Sequence, residues 1–139
     1  MKDLAHLKAI RTKLEPTGYT CDLVFAQSTS SQYLILSSPS WGDAEERSVS
    51  TIDSNASMDV RVKAVTGTPD GVATMLANVR AILSPNHSPT LVPLAGWVLS
   101  IRFLRSEFID VDQSTTNTNN RHPAQGVDTY RLTAEPIPT

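Results

Sequence analysis

The chain has 139 residues, 40% hydrophobic and 19% charged, with 12 basic and 14 acidic side chains and a formal charge of −2. That length bounds it to one domain over 1–139, or one domain with an arm, with enough apolar content for a core that needs no staples. The basic residues are scattered along the chain with no two adjacent, which argues against a surface that grips phosphates.

The opening residues, MKDLAHLKAIRTKLE, are too charged for a signal peptide. No apolar run approaches the roughly 20 residues a membrane span needs. Synthesis in a cytoplasm is therefore expected, and the sequons at Asn55 and Asn86 carry no meaning there. Leu4, Leu7, Ile10 and Leu14 recur at helical spacing, so the first element is an amphipathic helix that Pro16 and Gly18 stop. YTCDLVFAQ and QYLILSSP then read as an early hairpin or strand pair. Cys21 lies on the first of these as a small apolar residue, since a lone cysteine forms no internal disulfide and no Cys/His spacing suggests a metal site. Residues 39–55 mix Pro, Gly and charge around Trp41, and read as a loop with a short strand near 47–52. Asp43, Glu45, Glu46 and Arg47 within it read as a solvated loop.

In SMDVRVKAVTG, Val60, Val62 and Ala64 alternate with Asp59, Arg61 and Lys63, the period of a sheet with one wet face. TPDGVATMLANVRAIL predicts a helix: Thr68 is an N-cap, Pro69 takes the first helical position, and Asp70 favours the positive end of the dipole. Val72, Met75, Leu76, Val79, Ile82 and Leu83 form one stripe, and Pro85 closes it. The three prolines of SPNHSPTLVPLAG argue against regular structure there. GWVLSIRFLRSEF predicts a long strand with Trp97, Leu99, Ile101 and Phe103 on one face. A polar loop follows at about 113–126, in which every residue from Gln113 to Asn120 is polar. GVDTYRLTAEP supplies the last strand, whose polar side of Thr129, Arg131 and Thr133 suits a sheet edge. These elements predict an α+β fold, a largely antiparallel sheet with two helices packed on one face.

Catalytic inventory is lacking. His6, His87 and His122 fall where solvated side chains are expected, and no serine sits in a GxSxG or SxxK setting. Asp110 and Asp112 could offer oxygens to a hard cation, but the spacing lacks the glycine and closing Glu of a calcium loop, so an exposed strand end is expected. GTPDG has the wrong spacing for a phosphate cradle. Trp41 and Tyr33 are candidate interface anchors, with core packing an equal alternative for Tyr33.

Laid out in this way, the chain resembles the tail terminators of long-tailed bacteriophages, the small proteins that cap the tail tube beneath the head. The resemblance rests on MKDLAHLKAIRTKLEPTGY opening directly into a strand and on QYLILSSP, with Gln32 where Pro is common. It rests also on the strand-to-helix run MDVRVKAVTGTPDGVATMLANVRAIL and on the late GVDTYRLTAEP strand, a feature of terminators from phages of actinobacteria. It implies a mixed sheet flanked by helices and a six-fold ring of identical subunits that docks on the tail tube protein and on a head-tail connector or neck protein. It also implies a place in the virion at the head-proximal end of the tail, and genome DNA passing through without being held. No catalytic residue, cofactor, metal or membrane is implied. Ring contacts join unlike patches, so the expected contact residues are Trp41, Arg121 and the polar run Gln113, Ser114, Thr115, Thr116, Asn117 and Asn119. Thr129 and Arg131 on the last strand are the further candidates. Such a loop can order against a neighbour at an entropic cost. A head-completion or neck adaptor and a small cytoplasmic ligand-binding domain are the alternatives.

Overall fold

The computed structural model describes residues 2–24, 32–38, 56–111 and 123–137. The chain begins with helix α1 (Lys2–Lys13), a single 3-10 turn (Glu15–Thr17), and strands β1 (Thr20–Leu23), β2 (Tyr33–Ser37) and β3 (Ala56–Thr66). Helix α2 (Pro69–Leu83) and a second 3-10 turn (Pro85–His87) follow, then strands β4 (Thr90–Leu94), β5 (Trp97–Val111) and β6 (Ala124–Pro136). The strands form one sheet in the order β1-β2-β3-β6-β5-β4. Among these pairings only β1 with β2 is parallel, and the rest are antiparallel. The fold is α+β, with both helices on one face of a largely antiparallel sheet.

Local chemistry sets each boundary. Thr68 takes an extended conformation and its Oγ1 accepts from the Gly71 N–H at 3.0 Å, so one free donor of the first turn of α2 is satisfied. A Cβ on Gly71 would come within 2.8 Å of Thr66 Cγ2 and 3.0 Å of Thr68 Oγ1, so only glycine leaves room for this cap. At the end of α1, Gly18 adopts φ 77° and its N–H returns to the Glu15 carbonyl at 3.0 Å, turning the chain towards β1.

The helix-facing side of the sheet is aliphatic. Leu34 and Leu36 of β2, Val60, Val62 and Ala64 of β3, Leu99 and Ile101 of β5, and Leu132 and Ala134 of β6 are all buried. Val72, Met75, Leu76, Val79 and Leu83 of α2 pack against β3, β6 and β5. Full burial of one such side chain contributes about 1.5–3 kcal/mol, so this layer is the main source of stability. Helix α1 adds Leu7 and Ile10, with Leu14 just beyond its end. It touches β4 at one margin of the sheet and β1 and β2 at the other, so the sheet curls until both margins meet α1. Register shifts in β5 between Phe103 and Arg105 and between Glu107 and Asp110 add local twist to that curl.

Several expectations from the sequence are corrected. The early strand pair is parallel, which removes the hairpin alternative. Pro93 lies inside a regular strand. It is tolerated because β4 is the outermost strand, where one side needs no ladder donor. Residues 124–126, expected in the polar loop, already belong to β6. That strand does not sit at an edge: it lies between β3 and β5, in register from Ala56↔Ala134 to Thr66↔Ala124 on one side and from Trp97↔Pro136 to Val111↔Ala124 on the other. His6 is buried, not solvated, with its ring 5.2 Å from Trp97 in an edge-on contact. The short strand expected near 47–52 lies outside the described residues.

Leu76 is 3% exposed in the layer between α2 and the sheet. Leu76→Asp would bury a carboxylate with no partner and is expected to cost at least about 3 kcal/mol. Urea unfolding followed by circular dichroism measures this. A variant with an unchanged midpoint would contradict the packing described.

Candidate functional site

Polar groups gather at two places, one beneath α2 and one on the sheet face that no helix among the described residues covers. Beneath α2, the Asp128 carboxylate of β6 is fully buried. Arg80 of α2 donates to its Oδ2 from Nη2 at 2.8 Å and from Nε at 3.3 Å, and Ser106 Oγ donates to Oδ1 at 2.6 Å. The guanidinium stands 4.2 Å from the centroid of the Phe103 ring, and Phe103 meets Tyr130 edge-on at 5.7 Å. Phe103 is held there partly by Ser84, whose Oγ accepts from the Phe103 N–H at 3.1 Å and donates to the Ser88 carbonyl at 2.9 Å. Burial alone would lower the Arg80 pKa, but the hydrogen bond and charge of Asp128 outweigh it and raise it. Burial, then the Asp128 charge, raise the Tyr130 phenol above its ordinary value, against the lowering effect of Arg80. The phenol lies close to Arg80, but its oxygen is buried without a hydrogen bond of good geometry.

This cluster contains residue types that elsewhere carry catalysis. Its geometry is that of a structural pair. Both carboxylate oxygens are satisfied from within the chain, and the carboxylate has no exposed surface from which to meet a substrate. The proline-turn residue His87 is exposed as expected, with its ring 5.2 Å from Phe103. Cys21 is half-buried against the core, and burial pushes its thiol up to about 11, so it is an unreactive thiol at neutral pH.

An open groove of about 580 Å³ runs between the end of α1 and β4, lined by Ala9, Thr12, Lys13, Glu15, Pro16 and Pro93. Its walls bring few polar groups towards one point, unlike a small-molecule site. Among the described residues no three His, Cys, Asp or Glu side chains are grouped to hold a metal. Asp110 lies in β5 opposite Gln125, and Asp112 lies outside the described residues. No helix among them is long and apolar enough to cross a membrane.

The bare face of the sheet carries the second gathering. Register places Asp59, Arg131 and Arg102 in one row across β3, β6 and β5, Arg61, Thr129 and Arg105 in the next, and Lys63, Val127 and Glu107 in a third. Arg131 Nε donates to Asp59 Oδ1 at 2.8 Å, and Arg61 Nη2 lies 3.3 Å from Glu107 Oε1. The even scatter of basic residues along the chain is therefore not their distribution in space. Towards β4 the same face turns apolar: Leu91 and Val98 are 67% and 47% exposed, beside exposed Pro93. Tyr33 lies on this face opposite Val65, not in the helix-side core.

Of the contact residues expected from the sequence, Trp41 and residues 113–121 lie outside the described residues. Arg131 is on the bare face, partly exposed and paired with Asp59. Thr129 is on the same face but only 1% exposed, with a hydroxyl that has no hydrogen-bond partner. A buried hydroxyl in that state costs about 1–3 kcal/mol. No protein-family model and no curated protein matches the chain.

Removing one partner of a buried ion pair leaves the other charge uncompensated, which costs about 3–5 kcal/mol. Arg80→Met is expected to destabilise the protein by that amount in urea unfolding, with Asp128→Asn added to it recovering a large part. A double variant no more stable than the single one would show that the Asp128 charge is not what Arg80 serves.

Proposed function

We propose that the protein is a tail terminator of a long-tailed bacteriophage, a structural virion protein that forms a ring on the tail tube, stops its growth and offers the surface on which the head docks. The reading rests on the sequence resemblance, and one structural observation supports it most. Among the described residues there is a helix-packed side and a sheet face left bare, with a cationic centre and an apolar margin, and the groove beside α1 and β4 brings few polar groups together. Such a molecule is suited to act by contact. A closed ring needs two unlike patches on each subunit, and the two regions of this face differ in that way.

The ends of the sheet also differ. The stretch 39–55 joins the end of β2 to the start of β3, whereas 112–122 joins β5 to β6 at the opposite end, since Thr66 at the far end of β3 pairs with Ala124. The expected contact residues Trp41 and Gln113 to Arg121 thus belong to segments that attach at opposite ends of the body. A cap works by matching the tube at one end and presenting something different at the other, because a repeated heterologous interface grows until its open end is covered. No nucleotide or cofactor enters such a mechanism.

Disrupting this gene in the phage genome is expected to give DNA-filled heads and separate tails, many of variable and excessive length. The protein supplied in trans is expected to restore joined particles. Electron microscopy of lysates measures both. Unjoined tails of normal, uniform length would contradict the terminator reading and favour a neck adaptor.

A further inference from the structure

We infer that the bare face of the sheet is a docking surface for an acidic protein segment, with Arg102, Arg105 and Lys63 as its free cations. Arg61, Lys63, Arg102, Arg105 and Arg131 share the face of three adjacent strands, β3, β6 and β5, with three carboxylates, Asp59, Glu107 and Glu135, the last opposite Val98 towards the apolar margin. The chain as a whole carries −2, so this excess is local. Asp59 is already bound to Arg131, and Glu107 to Arg61. Lys63, Arg102 and Arg105 have no ion pair among the described residues, and both arginines are exposed.

Two features set this face apart from an ordinary solvated one. Arg102 stands directly opposite Arg131 on the neighbouring strand, and like charges facing one another across strands oppose the pairing. An anion seated between them would reverse that penalty. At the centre, Thr129 lies between Arg61 and Arg105 with a hydroxyl that finds no hydrogen-bond partner. Thr129 itself is only 1% exposed, so a partner carboxylate would meet the arginines on either side of it and not its hydroxyl.

Scale favours a carboxylate partner over a nucleic acid. Strands lie about 4.8 Å apart, so three of them offer a cationic strip only about 10 Å wide. Nucleic-acid affinity accumulates over many neutralised phosphates, and a strip of this width with three unpaired cations among the described residues can neutralise few of them. Isolated carboxylates can instead be taken one at a time in the forked geometry that guanidinium groups favour. The inference holds whether or not the chain caps a tail tube, since it concerns the chemistry of the face alone.

Fluorescence anisotropy of a labelled oligoglutamate peptide with the full-length protein tests it. Binding is expected at low ionic strength, weakening steeply with salt. Arg102→Glu with Arg105→Glu is expected to lower the affinity by about tenfold or more, whereas Lys8→Glu with Arg11→Glu, both exposed on α1, is expected to leave it unchanged. Amide shift mapping by nuclear magnetic resonance on the unaltered chain gives a second readout, with changes expected on β3, β5 and β6. Absence of binding, equal binding by the two charge-reversed proteins, or shifts confined to other elements would overturn the inference. So would duplex DNA displacing the peptide more strongly than unlabelled oligoglutamate does, an outcome that would assign the face to phosphates.

Discussion

The pairing of β6 with both β3 and β5 is the constraint on which the structure depends. Without β6 the described strands fall into two pieces, β1-β2-β3 and β5-β4, with no ladder between them. The strand that joins them is the last of the described strands and pairs with β3 across a long stretch of sequence, so the sheet closes only when residues far apart in sequence meet, a topology that folds slowly. β6 also carries Asp128, to which Arg80 ties α2, and the fully buried Tyr130 and Leu132, against which the helix layer packs. Sheet order, helix position and core thus share one element. The Arg80–Asp128 pair adds position more than stability, because a buried ion pair gains little over well-packed apolar residues while fixing which groups must meet.

The same arrangement shapes the surfaces of the described residues. The centre of the sheet is filled by side chains on the helix side, and its only fully buried carboxylate among the described residues is consumed by Arg80 and Ser106. Three surface features stand out beside that core. These are the charged face across β3, β6 and β5, its apolar margin at Leu91 and Val98, and the opposite ends where the long connections attach. Exposed aliphatic residues occur singly on most proteins, but here they adjoin a cationic strip on a face that no other element of the described chain covers. The proposed contact role rests on that layout.

Elements whose signal is local were legible in the sequence. Thr68, Pro69 and the stripe from Val72 to Leu83 specify α2 from cap to close, and the alternation of Val60, Val62 and Ala64 specifies which side of β3 faces the core. Strand order was not legible, because a period of two says which residues share a face and nothing of which strand lies beside which. Thr129, Arg131 and Thr133 looked like an edge for that reason, although the polar side belongs to the uncovered face of a central strand. Pro93 misled in the opposite direction, since its cost depends on whether its strand has a neighbour on both sides. His6 lies on the packed side of α1 one residue from Leu7, and its burial depends on Trp97, a residue far along the chain. The cationic face was hidden in the same way: Arg61, Arg102 and Arg131 become neighbours only through the register of β6.

The most direct test of a contact role in stopping tube growth is to assemble tail tubes in the absence of this chain, add the purified protein, and then supply more tube subunits under the electron microscope. Function as a terminator requires a ring at one end of each tube and no further lengthening from that end. Tubes that keep growing at an undiminished rate, or protein bound along the tube wall and not at its end, would contradict it.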